Sequence, residues 1–127
     1  MPDPNFIGII RTKGRDLMVA RVRWAPSGSA NQTLTEAEGV VSVTRTGAGL
    51  YTILLTDTKC QSIECHIQPI VNDTTLFHFV RVESINNTAG TIAVSHKSVA
   101  YASIASGPTP SDTVDQLEAL ILYRTVV

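Results

Sequence analysis

The alternation of apolar and polar residues on both sides of one short turn constrains this fold most. In the segment 50–56, large apolar side chains recur at every second position, and in 40–46 we expect Val41 and Val43 to face one way and their polar neighbours the other. A period of two over both arms predicts two half-buried strands. The intervening Gly47–Gly49 segment predicts a tight hairpin turn, because glycine tolerates the positive φ that such turns require.

The same glycine pair raises the alternative of a phosphate-binding loop. A dinucleotide loop has a third glycine three residues after the second and leads into a helix, whereas this chain has Thr52 at that place and continues as a strand. Without a helix N-terminus there is no row of free N–H groups for a phosphate. The pattern therefore favours the hairpin and predicts no nucleotide site.

Short β-type runs separated by turn residues extend over most of the chain. The first two of these runs form a predicted hairpin that turns at Gly14. Pro69 ends the predicted strand 63–68 or places it at a sheet edge. Around His96-Lys97-Ser98 the pattern is that of either a hairpin or one long bulged strand. Outside the central hairpin, the predicted strands are 6–12, 17–24, 63–68, 76–83, 91–95 and 99–104. The predicted loops and turns are 25–33, 34–39, 72–75, 84–90 and 106–112.

The C-terminal segment, 114–127, has two interpretations. Its Leu, Ala, Glu and Gln content and the helical spacing of Val114, Leu117 and Ile121 suit a helix. Its apolar run at 119–123 suits a strand that is covered on both faces. We predict a strand from about 117 to 126, with a helix as the alternative.

About eight short strands without a long helix predict an all-β protein. With 127 residues, one domain is expected. The fold class is therefore a single-domain antiparallel β-sandwich or jelly-roll-like barrel.

The charge balance bears on the partners of the chain. Ten basic and eleven acidic residues give a near-neutral chain, which argues against nucleic acid as a partner. Within a local basic excess, Arg21 and Arg23 share one strand face, which is either solvated or part of an interface. Trp24 beside them either anchors an interface or caps the core at the end of a strand.

The segments 76–82 and 119–123 each carry apolar residues on both strand faces. A two-layer sandwich buries only one face of each sheet, so the second face needs another cover, such as a partner subunit. We therefore predict a protein interface. Its candidate residues are Arg21, Arg23, Trp24, Leu120 and Leu122.

Residues capable of chemistry form no recognisable motif. Cys60 and Cys65 have a spacing that matches no common zinc pattern. Cys65 and His66 are adjacent on a strand and so point to opposite faces. The three histidines, His66, His78 and His96, lie on different predicted strands. We predict no catalytic residue, no cofactor and no metal site, and hence no enzyme.

The N-terminal residues, MPDPNFIGII, lack the basic and long apolar regions of a signal peptide. No apolar run reaches the length of a membrane span. We therefore expect synthesis in a reducing cytoplasm, free thiols and no membrane partner.

The segment 39–53, with the pattern G-V-x-S-V-T-R-T-G-x-G-x-Y-T-I, resembles small β-sandwich domains of tailed-phage virion proteins. In that family a Val-rich strand, a Gly-x-Gly turn and a Tyr-containing strand lead to a further strand, here CQSIECHIQPIV, and an apolar strand lies at the C-terminus, here EALILYRTVV. The resemblance covers 39–127. Residues 1–38 are then an N-terminal extension and hairpin, with MPDPNF suited to lying extended across another subunit.

The resemblance implies a virion structural protein. The expected role is a capsid decoration (cement) protein that binds the major capsid protein on the surface of the assembled phage head, after synthesis in the host cytoplasm. Such domains are often trimers, so a homo-oligomer, preferably a trimer, is expected. The alternative is a receptor- or glycan-binding tip domain of a tail or fibre protein. The short chain starting at Met1 favours decoration.

Overall fold

The computed structural model describes residues 9–12, 15–72 and 74–125, with side chains from residue 17 onward. Ten antiparallel strands form two sheets, which confirms the predicted all-β sandwich. A 3₁₀ segment, Tyr101–Ser106, lies between β8 and β9. The strands are β1 (Ile9–Thr12), β2 (Arg15–Trp24), β3 (Leu34–Glu38), β4 (Val40–Gly47), β5 (Leu50–Leu55), β6 (Cys60–Ile70), β7 (Leu76–Asn86), β8 (Thr91–Ala100), β9 (Thr109–Pro110) and β10 (Gln116–Thr125).

Sheet A contains β2, β10 and β6 side by side, with β1 and β3 both paired to the other edge of β2. The pairing of Thr12 with Arg15 confirms the first predicted hairpin, although its turn residues 13 and 14 lie outside the described residues. β10 pairs with β2 and β6 over almost its whole length, so the C-terminal segment is a strand. Pro69 lies in β6 at the edge of this sheet, where a missing N–H is tolerated.

Sheet B has the order β4, β5, β8, β7, and the short β9 pairs with the end of β8. The central hairpin is confirmed: β4 and β5 are joined through Ala48 and Gly49, and Gly49 has φ +67°. Gly39, with φ +72°, separates β3 in sheet A from β4 in sheet B. The chain therefore crosses from one sheet to the other at that glycine.

The core lies between the sheets and is built from inward-facing residues of both. Trp24 of sheet A packs edge-on against Tyr51 of sheet B, with 5.6 Å between ring centroids. Burial of these apolar side chains is the main stabilising term, at about 25 cal/mol per Å² removed from water. The buried core residues are Ala20, Val22, Trp24, Val40, Val43, Tyr51, Ile53, Leu55, Cys60, Ile92, Val94, Leu117, Ala119, Ile121 and Tyr123.

The alternation in β4 differs from the prediction. Val41 is 57% exposed while Val40 and Val43 are buried, so Val41 and Val43 do not share a face. Val40 pairs with Leu55 but Ser42 pairs with Leu54, which leaves Val41 as an extra residue in a β-bulge. A bulge shifts the period-two pattern by one residue, and this explains the error.

Two further boundaries are corrected. The segment 34–39 was predicted to be a turn, but β3 occupies most of it and pairs with β2. The predicted strand 99–104 is also wrong, because β8 ends at Ala100 and the 3₁₀ segment follows. Around His96 the long-strand interpretation is correct, since β8 pairs with β7 without a break there.

β2, which lies outside the region 39–127 covered by the resemblance, is part of the sandwich. β2 lies inside sheet A, paired to β10, and contributes Ala20, Val22 and Trp24 to the core. Residues 1–8, which include the segment predicted to lie across another subunit, are outside the described residues.

Candidate binding surfaces and the polar cluster of sheet B

Four of the five predicted interface residues lie together on the outer face of sheet A. Arg21 and Arg23 alternate with buried residues of β2, and Leu120 and Leu122 alternate with buried residues of β10. The two strands are hydrogen-bonded neighbours, and Arg21 pairs directly with Leu120. The structure therefore brings these four side chains together on one face, as the sequence predicted for Arg21 and Arg23.

Trp24 does not belong to that surface. Its side chain is fully buried between the sheets against Tyr51, so the second of the two interpretations, a core residue, is correct. An even-numbered position on β2 faces inward, whereas the arginines occupy odd-numbered positions. The indole Nε1 has no hydrogen-bond acceptor among the described residues.

The arginines of the sheet A face are neutralised by carboxylates. Arg21 forms an ion pair with Glu36, and Arg23 donates from Nε to Glu118 at 2.9 Å. The hydrogen bond between Arg21 and Glu36 raises the pKa of the arginine and lowers the pKa of the glutamate. This face is consequently a mixed-charge surface around Leu120, and exposed pairs of this kind contribute little stability.

A shallow cleft crosses the same face beside Leu120. It is lined by His66, Gln68, Glu118 and Leu120 and encloses about 200 Å³. Pockets for drug-sized ligands typically measure about 300–1,000 Å³, so this cleft is small for such a ligand.

The outer face of sheet B carries a group of exposed apolar side chains at the end where β7 begins and β8 ends. We call Phe77, Phe79, Tyr101 and Ile104 the sheet B patch; their exposures are 41%, 48%, 47% and 53%. The rings of Phe77 and Tyr101 are in contact, with 4.1 Å between centroids and 61° between planes. The prediction of apolar residues on both faces of 76–82 is thus confirmed for β7.

Tyr101 and Ile104 were missed as surface residues. The sequence 99–104 alternates as a strand would, and only the structure shows that it turns into a 3₁₀ segment at Tyr101. That turn brings Tyr101 against Phe77 and completes the patch. The available signal in the sequence was a large aromatic and a large aliphatic residue, Tyr101 and Ile104, among small residues.

Two of the three histidines meet in the structure. His78 of β7 and His96 of β8 are hydrogen-bonded, with 2.9 Å between Nδ1 of His78 and Nε2 of His96. His66 is exposed on the outer face of sheet A, next to Glu64. Within the described part of the chain, no three His, Cys, Asp or Glu side chains converge as a metal site would need.

The cysteines lie in apolar surroundings. Cys60 is buried and Cys65 faces the core, and among the described residues neither forms a disulfide. Burial raises the pKa of Cys65 to about 11, so the thiolate is disfavoured. Cys65 points inward and His66 outward, as the alternation predicted.

The turn at Gly49 is held by an acidic residue. The Gly49 N–H donates to Oδ1 of Asp112 at 3.0 Å, and the Tyr51 hydroxyl donates to the same oxygen. Arg45 donates to the other carboxylate oxygen from Nε at 3.0 Å and Nη2 at 2.8 Å. The Asp112 carboxylate already accepts a hydrogen bond from the Gly49 N–H, which a bound phosphate would need as a donor. This agrees with the hairpin interpretation. The sequence did not single out Asp112.

Comparison of the chain with family models, with curated proteins and with solved structures finds no match. The resemblance over 39–53 therefore stays a prediction. Among the described residues, no helix has the length and apolar character that crossing a membrane requires.

Proposed function

We propose that this chain is a non-enzymatic virion structural protein, a capsid decoration protein that binds the assembled phage head and stabilises it. The observation that carries the proposal is the sheet B patch. Phe77 and Phe79 are exposed on one strand face, Tyr101 is in contact with Phe77, and Ile104 is exposed in the same 3₁₀ segment as Tyr101. Contiguous exposed apolar surface of this kind marks a site of protein association.

The character of the patch favours a protein partner. Phe77 and Phe79 project from a strand face, and Lys97 is the cross-strand neighbour of Phe79. Aromatic side chains are enriched in interface centres, with charged groups at the rim. An apolar surface bordered by Lys97 and by the Arg81–Glu83 ion pair suits a folded protein surface with an apolar centre and a charged rim.

The polar groups inside the sandwich are used for structure. Asp112 accepts hydrogen bonds from Arg45, Gly49 and Tyr51, and His96 is fully buried. A catalytic group needs an open position next to a substrate. This arrangement supports a binding role over a catalytic one.

The partner in this proposal is the major capsid protein, and the location is the outer surface of the capsid. The chain forms a homo-oligomer, preferably a trimer, which is the state that the resemblance over 39–53 implies. The sheet A face, with Leu120 among ion pairs, is the second candidate contact surface.

The test compares the two surfaces. Capsids are assembled from the major capsid protein of the phage whose genome carries this gene, and bound protein is measured by sedimentation through a sucrose gradient. We expect the double variant Phe77→Ser, Phe79→Ser to lose at least tenfold in affinity while the urea midpoint stays close to that of the wild type. Leu120→Ser is the matched control on the opposite face and retains binding.

The oligomer is tested separately by size-exclusion chromatography with light scattering. A trimer mass is expected at micromolar concentration. A monomer without affinity for capsids would refute the proposal, and a gene neighbourhood without capsid or portal genes would count against it.

A receptor- or glycan-binding tip domain is the second candidate, because the sheet B patch holds three exposed aromatic rings. Their arrangement argues against it: the Phe77 and Tyr101 planes are inclined at 61° and form no flat platform for a sugar ring. Specific, tight binding on a glycan array, lost in the Phe77, Phe79 double variant, would reverse the ranking.

A further inference from the structure

The His78–His96 pair has one consistent assignment of hydrogens. Nδ1 of His96 lies 2.6 Å from the carbonyl oxygen of Ser111, which only accepts, so this nitrogen carries the proton. In neutral His96 the other nitrogen, Nε2, is then an acceptor. Nδ1 of His78, 2.9 Å away, is therefore the donor.

The two imidazole rings meet end to end. Their planes differ by 20° and their centroids are 5.2 Å apart. That separation equals the 2.9 Å between the nitrogens plus the two ring radii, so both nitrogens lie on the line that joins the ring centres. The pair is therefore a straight N–H···N hydrogen bond without room for a metal ion between the nitrogens.

His96 lies under the segment 107–115, which we call the strap. The strap pairs with β8 through β9, and the Ser111 N–H donates to the His96 carbonyl at 3.2 Å. Val114 packs against the core from the same segment. His96 thus contacts the strap with its side chain and its backbone.

The hydrogen bond of the pair is compatible with one added proton and incompatible with two. A proton on the other ring nitrogen of His78 leaves the bonds of His96 to His78 and to Ser111 in place. With a second proton, on Nε2 of His96, the bond has no acceptor left, and two N–H groups face each other with their nitrogens 2.9 Å apart.

Among the described residues, the charged groups around His96 offset that second proton only in part. Asp112 from the strap is the near anion, but Arg45 of β4 forms an ion pair with it. Tyr51 of β5 is neutral, and Lys97 of β8 points to the opposite face. Burial is the main cause that lowers the pKa of His96, and His78 lowers it further, against the opposing effects of Ser111 and Asp112.

We propose that the His78–His96 pair is an acid-operated latch, in which uptake of the second proton at His96 breaks the bond to His78 and loosens the strap from sheet B. The latch is a property of this fold, and it operates whether or not the protein binds a capsid. Opening exposes the end of the core around Val114 and the Asp112 cluster.

Hydrogen exchange tests the latch directly. The amide protection of Ser111, whose N–H donates to the His96 carbonyl, is measured by NMR from pH 7.5 to 4.5 and corrected for intrinsic exchange. Above pH 4.5 Asp112 stays ionised. If opening of the strap takes up one proton, the opening constant should rise as the pH falls below about 6.5, the pKa of an unperturbed histidine. The rise is at most about tenfold for each pH unit. Protection that is equal at both ends of the range would overturn the proposal.

Two variants separate titration from structure. His96→Asn keeps an N–H donor for Ser111 but cannot take up a proton, so its opening constant should not vary with pH. If it does not fold, His96→Gln is used, because its amide also offers an N–H donor and takes up no proton. His66→Asn on sheet A is the control and retains the wild-type response. A full response in His96→Asn, or in His96→Gln where it replaces that variant, would overturn the latch.

Discussion

Single residues at the end of sheet B show how backbone and side chains fix this fold. Gly49 has φ +67°, and a Cβ built there would lie 2.2 Å from the His96 carbonyl oxygen and 2.7 Å from the Ser111 nitrogen. Both atoms belong to backbone that cannot move cheaply. The glycine is therefore required twice, by its conformation and by the closeness of the strap.

Gly49→Ala separates these two requirements when it is compared with Gly107→Ala. Gly107 has φ +78° and ψ 161°, which only glycine adopts readily, and nothing lies within 4 Å of a built Cβ, so Gly107→Ala reports a conformational cost without a clash. We expect about 1–3 kcal/mol for Gly107→Ala and at least about 4 kcal/mol for Gly49→Ala, measured by urea unfolding. Equal losses in the two variants would contradict the backbone clash.

Asp112 makes the stability of the protein depend on acid pH. Burial raises the pKa of Asp112, but the hydrogen bonds from Arg45, Tyr51 and Gly49 outweigh it, so the pKa lies below its usual value. A carboxyl with a lowered pKa in the folded state contributes stability above its unfolded pKa of 3.8 and loses it as the pH falls further.

We expect Asp112→Asn to be destabilised at pH 7 by about 1–3 kcal/mol, because Arg45 loses its charge partner. Between pH 5 and pH 2.5 the wild type should lose stability more steeply than the variant, since only the wild type protonates this group. The measurement is the urea midpoint of both proteins at each pH. Parallel pH profiles would show that Asp112 does not carry the dependence.

At the scale of elements, β4 shows how one extra residue changes a strand. The bulge at Val41 moves that side chain to solvent and leaves Val40 and Val43 in the core. The free edge of the strand is covered by the preceding loop, where the Gln32 N–H donates to the Val43 carbonyl at 3.0 Å. Gln32 also donates from its side-chain amide to Ser29 O at 2.6 Å, and this organises the loop.

The bulge predicts that truncation of Val43 costs much more stability than truncation of Val41. Val43→Ala should cost about 2 kcal/mol, because it removes methyl groups from a packed site. Val41→Ala should change the free energy of unfolding by less than about 0.5 kcal/mol, because the side chain is 57% exposed. The free energy of unfolding of both variants is measured in urea. Equal losses of stability would place the two valines on the same face.

For the whole molecule, the two outer faces differ in character. The sheet A face is a network of ion pairs around Leu120, and the sheet B face carries the apolar patch. A sandwich buries only its inner faces, so an apolar outer patch stays exposed unless another molecule covers it. This asymmetry is what makes sheet B the proposed contact surface.

An oligomer predicts that stability depends on protein concentration. Subunit association should make the Tm rise with protein concentration from about 1 to 100 μM, by mass action. The Phe77, Phe79 double variant should keep this rise if the sheet B patch contacts only the capsid and lose it if the patch also contacts another subunit, and Leu120→Ser tests the sheet A face in the same way. A wild-type Tm that is constant over this range would contradict the proposed oligomer.

The sequence by itself determined the strands and their inward faces wherever the period of two was unbroken. Tyr51, Ile53 and Leu55 are buried as predicted, and Arg21 and Arg23 lie together on the outer face. The reason is local: side chains alternate across a strand whatever it packs against. A glycine with positive φ was likewise predictable from the turn alone.

Only the tertiary structure decided which strands meet and what lies at their ends. The bulge at Val41, the burial of Trp24, the 3₁₀ segment at Tyr101 and the contact between His78 and His96 all depend on pairing between distant segments. Asp112 reaches the Gly49 turn across 63 residues of sequence. Such contacts arise from sheet register and packing between layers, which the alternation of a single strand does not encode.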